Sequence, residues 1–189
     1  MHLFFELGFW SAWIFLMAYW LLKARANKTT ARSSSNLRRW LQSALIFLGF
    51  CLITNVVQLG PLSRPLLPPS PLLTGCGLAL TWAGVLFAIW ARSTLGRNWS
   101  AKPTVKQDHE LITAGPYRLA RHPIYTGMLL GAVGTALAST EWRGLIGVLM
   151  ITVAFLLKIQ IEERLMLETF PDSYPAYRRE VKALLPGLL

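Results

Sequence analysis

The sequence has little charge and very little acid. Of its 189 residues, 15% are Asp, Glu, Lys or Arg and only nine are acidic. Soluble domains carry about 25% charged residues. With 53% hydrophobic residues and a mean hydropathy of +0.42, a disordered chain is excluded and an ordinary soluble enzyme is disfavoured. Cysteine is scarce too. Cys51 and Cys76 sit in apolar stretches, with no C-x-x-C pair or Cys/His cluster, so they read as small buried hydrophobes. That excludes a zinc site and a disulfide framework. The three histidines, His2, His109 and His122, are too dispersed to suggest a metal cluster, and no metal is expected. There is no G-x-G-x-x-G, P-loop or G-x-S-x-G, so no soluble nucleotide-binding domain is hidden here.

What the chain has is long apolar runs. Five stand out, near 3–22, 40–60, 72–91, 124–140 and 144–161. Each approaches the ~20 residues that a helix needs to cross about 30 Å of hydrocarbon. The last two are short and close together, a helical hairpin that either spans fully or only enters. The first lacks a basic leader and a small-residue cleavage site, so it reads as a retained span and not a signal peptide.

The formal net charge is +10, which allows either nucleic-acid binding or a membrane protein with its cations on one face. Their positions decide. Six fall in 23–39, six in 92–123 and five from Lys158 onward, against Arg64 and Arg143 alone in the alternate loops. With 17 of 19 cations on one side, the positive-inside rule makes that side cytoplasmic. The expectation is an integral-membrane all-α chain with about five crossings, N-terminus out, C-terminus in, and no nucleic-acid partner. It forms one structural domain, with three spans and a basic loop in 1–91 and a chemical half in 92–189. Ala31–Asn36 reads as a flexible linker, and Pro65, Pro68, Pro69 and Pro71 stiffen the 61–71 loop. The outer loops look too short and too poor in polar residues to make a site.

Polar and aromatic residues concentrate in 92–123 and in the tail from 158. The densest run is Gly115-Pro116-Tyr117-Arg118-Leu119-Ala120-Arg121-His122-Pro123-Ile124-Tyr125-Thr126-Gly127. Pro123 suits the first position of a helix. Arg121 and His122 would then flank a helix N-terminus, which attracts anions, and an arginine there adds a bidentate donor. Interfacial anchoring by Arg and Tyr accounts for the same residues. Gly127 and Gly131 make a small-residue face for close helix packing or for a ligand's approach. Lys158 and Glu162 stand four apart on one helical face. Phe170, Tyr174, Tyr177 and Val181 form a stripe, interrupted by Pro171 and Pro175, that would lie on the membrane or cover a cavity.

The runs His109-Glu110-Leu111-Ile112-Thr113-Ala114-Gly115-Pro116-Tyr117 and Arg121-His122-Pro123-Ile124-Tyr125-Thr126-Gly127, followed by Glu162-Glu163 and by Tyr174 and Tyr177, resemble the isoprenylcysteine carboxyl methyltransferase family. Related membrane methyltransferases, including those acting on phospholipid amines, share these features. The resemblance covers roughly 92–189. It implies an all-helical membrane methyltransferase using S-adenosyl-L-methionine in a cytosol-facing pocket, with a lipophilic acceptor entering from the bilayer.

Carried over by position, the resemblance implies cofactor contacts from Lys106, His109, Glu110, Leu111, Ile112, Tyr117, His122, Pro123, Ile124, Tyr125 and Glu162. It implies roles in catalysis for Arg121 and Lys158. Lys158 stands where the family usually has an arginine for a substrate carboxylate, and lysine lacks that planar fork. Met166 stands in place of Leu, and Pro171 in place of Gly. Three functions follow: carboxyl methylation of an isoprenylated cysteine, methylation of a phospholipid amine or small thiol, or a non-enzymatic membrane scaffold.

Overall fold

Among the described residues the chain forms six α-helices: α1 (His2–Ala24), α2 (Asn36–Ile53), α3 (Pro71–Leu95), α4 (Pro123–Ser139), α5 (Trp142–Thr169) and α6 (Tyr174–Glu180). The computed structural model describes residues 2–24, 36–56, 59–96 and 111–184. Residues 25–35, within the basic segment and the Ala31–Asn36 stretch, lie outside the described residues, as do Lys106, His109 and Glu110. Among the described residues there is no strand, only an isolated bridge between Pro65 and Glu141.

Helix boundaries follow local chemistry. Ser70 caps α3, its hydroxyl accepting from Leu73 N–H at 3.2 Å, and Pro71 opens the helix. Gly96 ends it at φ +53°, a left-handed conformation that glycine adopts freely. The second apolar stretch ends sooner than its hydropathy suggests. α2 stops at Ile53, because Asn55 turns to φ +62° and the chain leaves the helix. The last stretch instead continues beyond its apolar part. α5 runs 28 residues to Thr169, about 42 Å at 1.5 Å per residue.

The tightest contact is between α3 and α4. It rests on small residues. A Cβ placed on Gly84 would lie 2.5 Å from the Gly127 carbonyl, and one on Gly134 would lie 2.6 Å from the Gly77 carbonyl. The Gly127/Gly131 face therefore packs against α3. Polar side chains tie the same seam to α1. Trp13 Nε1 donates to Thr135 Oγ1 at 3.1 Å, and Thr135 donates back to the Gly131 carbonyl at 2.9 Å. α5 closes the bundle against α2 and α4, with the α4–α5 turn made only by Thr140 and Glu141.

The bundle carries its large apolar side chains on the outside: Leu22, Phe47, Leu72 and Leu149 are all more than half exposed. Cys51 is half-buried, but Cys76 is exposed on α3, which corrects the expectation that both thiols are buried. Cys76 shares its helix face with the outside rather than with the glycine seam. α3 and α5 are each long and apolar enough to cross a membrane, and Trp40–Ile53 and Pro123–Ser139 are shorter apolar helices.

Candidate active site

Three separate segments meet at the end of the bundle where α4 begins and α5 runs on past its apolar part. The first is the 3₁₀ turn Gly115–Arg118, entered through Gly115 at φ +60°. It turns Tyr117 inward, leaving the residue only 6% exposed. The second is the start of α4, with His122 just before Pro123. The third is the C-terminal segment that folds back after α6. Backbone bonds hold it in place: Arg121 N–H donates to the Lys182 carbonyl at 2.8 Å and His122 N–H to the Ala183 carbonyl at 2.9 Å. Tyr177 adds a hydroxyl bond of 2.6 Å to the Tyr117 carbonyl. Tyr174 and Tyr177 are buried, so the aromatic stripe of the tail faces into the protein.

Two consecutive carboxylates on α5 organise the polar groups. Neighbouring helical residues point about 100° apart, so the pair serves two partners. Glu162 Oε1 accepts from the Tyr125 hydroxyl at 2.7 Å, and its Oε2 lies 3.5 Å from His122 Nδ1. Glu163 Oε1 accepts from Arg121 Nε and Nη2, at 2.9 and 2.5 Å, and its Oε2 lies 3.1 Å from Arg178 Nε. His122 thus sits between both acids. Its Nε2 is 3.5 Å from Glu163 Oε1, an ion-pair distance, yet it is buried and makes no hydrogen bond.

Arg121 is placed differently from the sequence expectation of an anion donor. Its guanidinium is buried and engaged with Glu163 and with the carbonyls of Arg178 (3.1 Å) and Val181. The anion it grips belongs to the protein. The physical reason is that a buried carboxylate needs a fully bonded cation beside it.

The rings form a stack. His122 lies parallel to Tyr125 with centroids 5.6 Å apart, and Tyr125 parallel to Phe155 at 4.8 Å. Lys158 Nζ stands 5.4 Å from the Tyr125 ring centre. Lys158 and Glu162 both reach Tyr125, as their four-residue spacing requires. Of the other expected contacts, Pro123 and Ile124 are buried at the start of α4, and Leu111 and Ile112 lie half-buried ahead of the 3₁₀ turn.

Environment shifts two of the groups outside the helical spans. Burial pulls the His122 imidazole down, but the Glu162 and Glu163 carboxylates that face its two ring nitrogens outweigh it and leave its pKa raised. Burial pushes the Tyr117 phenol well up, aided by Tyr177 and Glu162, so it stays protonated.

Glu163, Arg178 and Phe155 belong to this cluster, although sequence reasoning assigned them no contact. Glu163 carried a signal: a second carboxylate at a span's end demands a partner. Phe155 carried one too, since 155, 158 and 162 share a helix face. Arg178 carried none.

The donor set suits a cation that also bears an aromatic group and a carboxylate. It offers ring faces, a carboxylate in Glu162 and a helix N-terminus.

Comparison with known proteins places this cluster in a family. The chain is 36% identical to the cobalt-zinc-cadmium resistance protein CzcN of Cupriavidus metallidurans, over 63% of this chain and 51% of that protein. It is 28% identical to a probable protein-S-isoprenylcysteine O-methyltransferase of Oryza sativa, over 93% of this chain and 95% of the relative. It is 30% identical to the protein-S-isoprenylcysteine O-methyltransferase of Saccharomyces cerevisiae, over 61% and 49%. The chain spans about half the length of CzcN and of the nickel-cobalt-cadmium resistance protein NccN, which it also matches. The phospholipid methyltransferase family profile matches residues 73–173, more than half of the chain. That stretch holds Tyr117, Arg121, His122, Tyr125, Lys158, Glu162 and Glu163, so the chain belongs to the phospholipid methyltransferase family.

Proposed function

We propose that the chain is an integral-membrane methyltransferase that moves a methyl group from S-adenosyl-L-methionine to a lipophilic acceptor at the cytoplasmic face. The reading closest to its relatives is carboxyl methylation of an isoprenylated cysteine. The observation that carries it is the meeting of Tyr117, His122, Tyr125 and Glu162 at one end of the bundle, inside the family-matched stretch.

The membrane reading has two supports. The apolar exterior of α1 to α5 surrounds an interior seam of Thr81, Thr135 and glycines. Large exposed apolar surface is unusual on a soluble monomer. The charge asymmetry then orients five crossings, with the cluster on the cation-rich, cytoplasmic side.

When bound, S-adenosyl-L-methionine supplies a methyl group made electrophilic by its sulfonium. Tyr117 and Tyr125 offer ring faces to the sulfonium or adenine. Glu162 receives the amino group, the α4 N-terminus the carboxylate, and Leu111, Ile112, Pro123 and Ile124 line the walls. Lys106, His109 and Glu110 complete the binding set by family position. Lys158 holds an anionic acceptor near Tyr125. An acceptor carboxylate or thiolate is already ionised, so no strong base is needed. The residues align the acceptor and exclude water. Arg121 acts through Glu163, as a positioning residue that keeps the C-terminal segment closed on the site.

A second reading, methylation of a phospholipid amine or small thiol, is favoured by Lys158, which lacks the fork that grips a carboxylate. Calorimetry of S-adenosyl-L-methionine binding in detergent tests both enzymatic readings. Binding is expected for the native chain and loss in Tyr125→Ala and Glu162→Ala. Absent binding, or equal binding in both variants, leaves only a scaffold role.

A further inference from the structure

Beyond α6 the chain crosses the edge of the candidate site. Val181 leaves the helix in an extended conformation, and the next residues run along the start of α4. The Lys182 and Ala183 carbonyls accept the Arg121 and His122 N–H groups at 2.8 and 2.9 Å. Ala183 and Leu184 are buried, each 7% exposed. They pack with Ile159, and Tyr125, Leu129 and Leu156 pack against the same cluster. Leu184 thus fills an apolar groove between α4 and α5.

This groove adjoins the candidate site at one end. Tyr125, which borders it, also bonds Glu162 at 2.7 Å and stands 5.4 Å from the Lys158 ammonium. At the other end it continues outward. Val133 lies four residues beyond Leu129 on α4, and Val153 three before Leu156 on α5, so helical spacing extends the groove by a turn. Val133 and Val153 are 41% and 48% exposed. The α3 flank of α4 is shut, since a Cβ on Gly127 would lie 2.6 Å from the Gly84 carbonyl. An apolar chain that starts at Tyr125 and ends outside the bundle therefore has a path between α4 and α5. Residues 182–184 cover its beginning.

We propose that residues 182–184 are a strap that gates the methyl acceptor. Leu184 holds the place of the acceptor's apolar tail, and the strap lifts off Arg121 and His122 when that tail enters. Val181 is the hinge, because its carbonyl is held by the Arg121 guanidinium and Tyr177 is held to the Tyr117 carbonyl. Lifting frees two N–H groups and two carbonyls that water can satisfy at little net cost. The apolar contacts of Leu184 are replaced by those of the tail. Until then the closed strap keeps water from the donor. The identity of the occupant rests on the methyl-transfer reading of the site.

The test is amide hydrogen exchange, read by NMR, of the full chain in lipid nanodiscs without methyl donor. The chain is titrated with S-farnesylcysteine and, separately, with cysteine. S-farnesylcysteine should speed exchange of the Arg121 and His122 amides several-fold. The Thr126 amide, bonded to the His122 carbonyl within α4, should not change. Cysteine should change none of them. In methyl-transfer assays Leu184→Ala should lower the KM for S-farnesylcysteine several-fold and leave the donor's KM unchanged. A strap that only braces the site gives a higher donor KM instead. Unchanged exchange at Arg121 and His122, an equal response to cysteine, an unchanged acceptor KM or a raised donor KM in Leu184→Ala overturns the gate. Faster exchange in a chain that transfers no methyl keeps the gate and refutes the methyl-transfer reading.

Discussion

Arg121 and Glu163 lie 42 positions apart in sequence and form a two-point ion pair, Nε and Nη2 on one carboxylate oxygen at 2.9 and 2.5 Å. Both side chains are under 10% exposed. The pair joins the start of α4 to α5, and the same guanidinium holds the carbonyls of Arg178 and Val181. Breaking one partner of a buried pair costs about 3–5 kcal/mol. Arg121→Ala and Glu163→Gln should therefore release the segment after Thr169. Hydrogen exchange of residues 174–184 should rise in both variants, and the KM for the methyl donor should rise more than kcat falls. Unchanged exchange would show that the pair does not hold the segment.

His122 sets a pH dependence of stability. Its pKa is raised above the ordinary 6.5 by the two acids that flank it. The imidazolium's contribution is therefore complete below 6.5 and is lost as pH climbs through the folded-state value. The difference in thermal midpoint between the native chain and His122→Gln should be largest at acid pH and shrink upward from there. A difference that grows with pH would contradict the ionised arrangement.

The α3–α4 seam has no room for a methyl group. Gly84→Ala places a Cβ 2.5 Å from the Gly127 carbonyl, against backbone that cannot yield cheaply. It should destabilise by at least about 1–3 kcal/mol. Gly75→Ala, on the same helix, meets nothing within 4 Å and should be neutral or gain up to about 1 kcal/mol from helix propensity. Unfolding of the two variants in denaturant, side by side, measures the contrast.

Lys158 separates the acceptor classes. If the acceptor presents a carboxylate, Lys158→Arg restores a planar fork and should raise methylation at low acceptor concentration several-fold, about 1 kcal/mol. If the acceptor is an amine, the substitution should bring no gain. Initial rates against prenylcysteine and ethanolamine-lipid acceptors distinguish the two.

Much of this was legible in the chain because it is local. Pro123 marks the start of α4, the Gly127/Gly131 spacing predicts a close-packed face, and Lys158 and Glu162 fall on one side of α5 by helical periodicity alone. What was not legible depends on distant segments meeting. Nothing near Arg121 says that its anion is Glu163 rather than a ligand. Nothing near Tyr125 says that Phe155 stacks on it 30 residues later. Arg143 reads as one sparse outer cation, yet it is wholly buried at the start of α5. It lines a cavity that five helix ends enclose and that none of them signals by itself.

The most direct measurement is transfer of labelled methyl from S-adenosyl-L-methionine by the purified full chain in native lipid, with lipid, peptide and small-molecule fractions analysed separately. Label should enter a lipophilic acceptor, with the prenylcysteine carboxyl the first expectation, and fall at least about tenfold in Glu162→Gln, the loss of one charge-assisted contact. A native chain that binds the donor but labels no fraction, or a Glu162→Gln variant as active as the native chain, would contradict a methyl-transfer site built around His122, Tyr125 and Glu162.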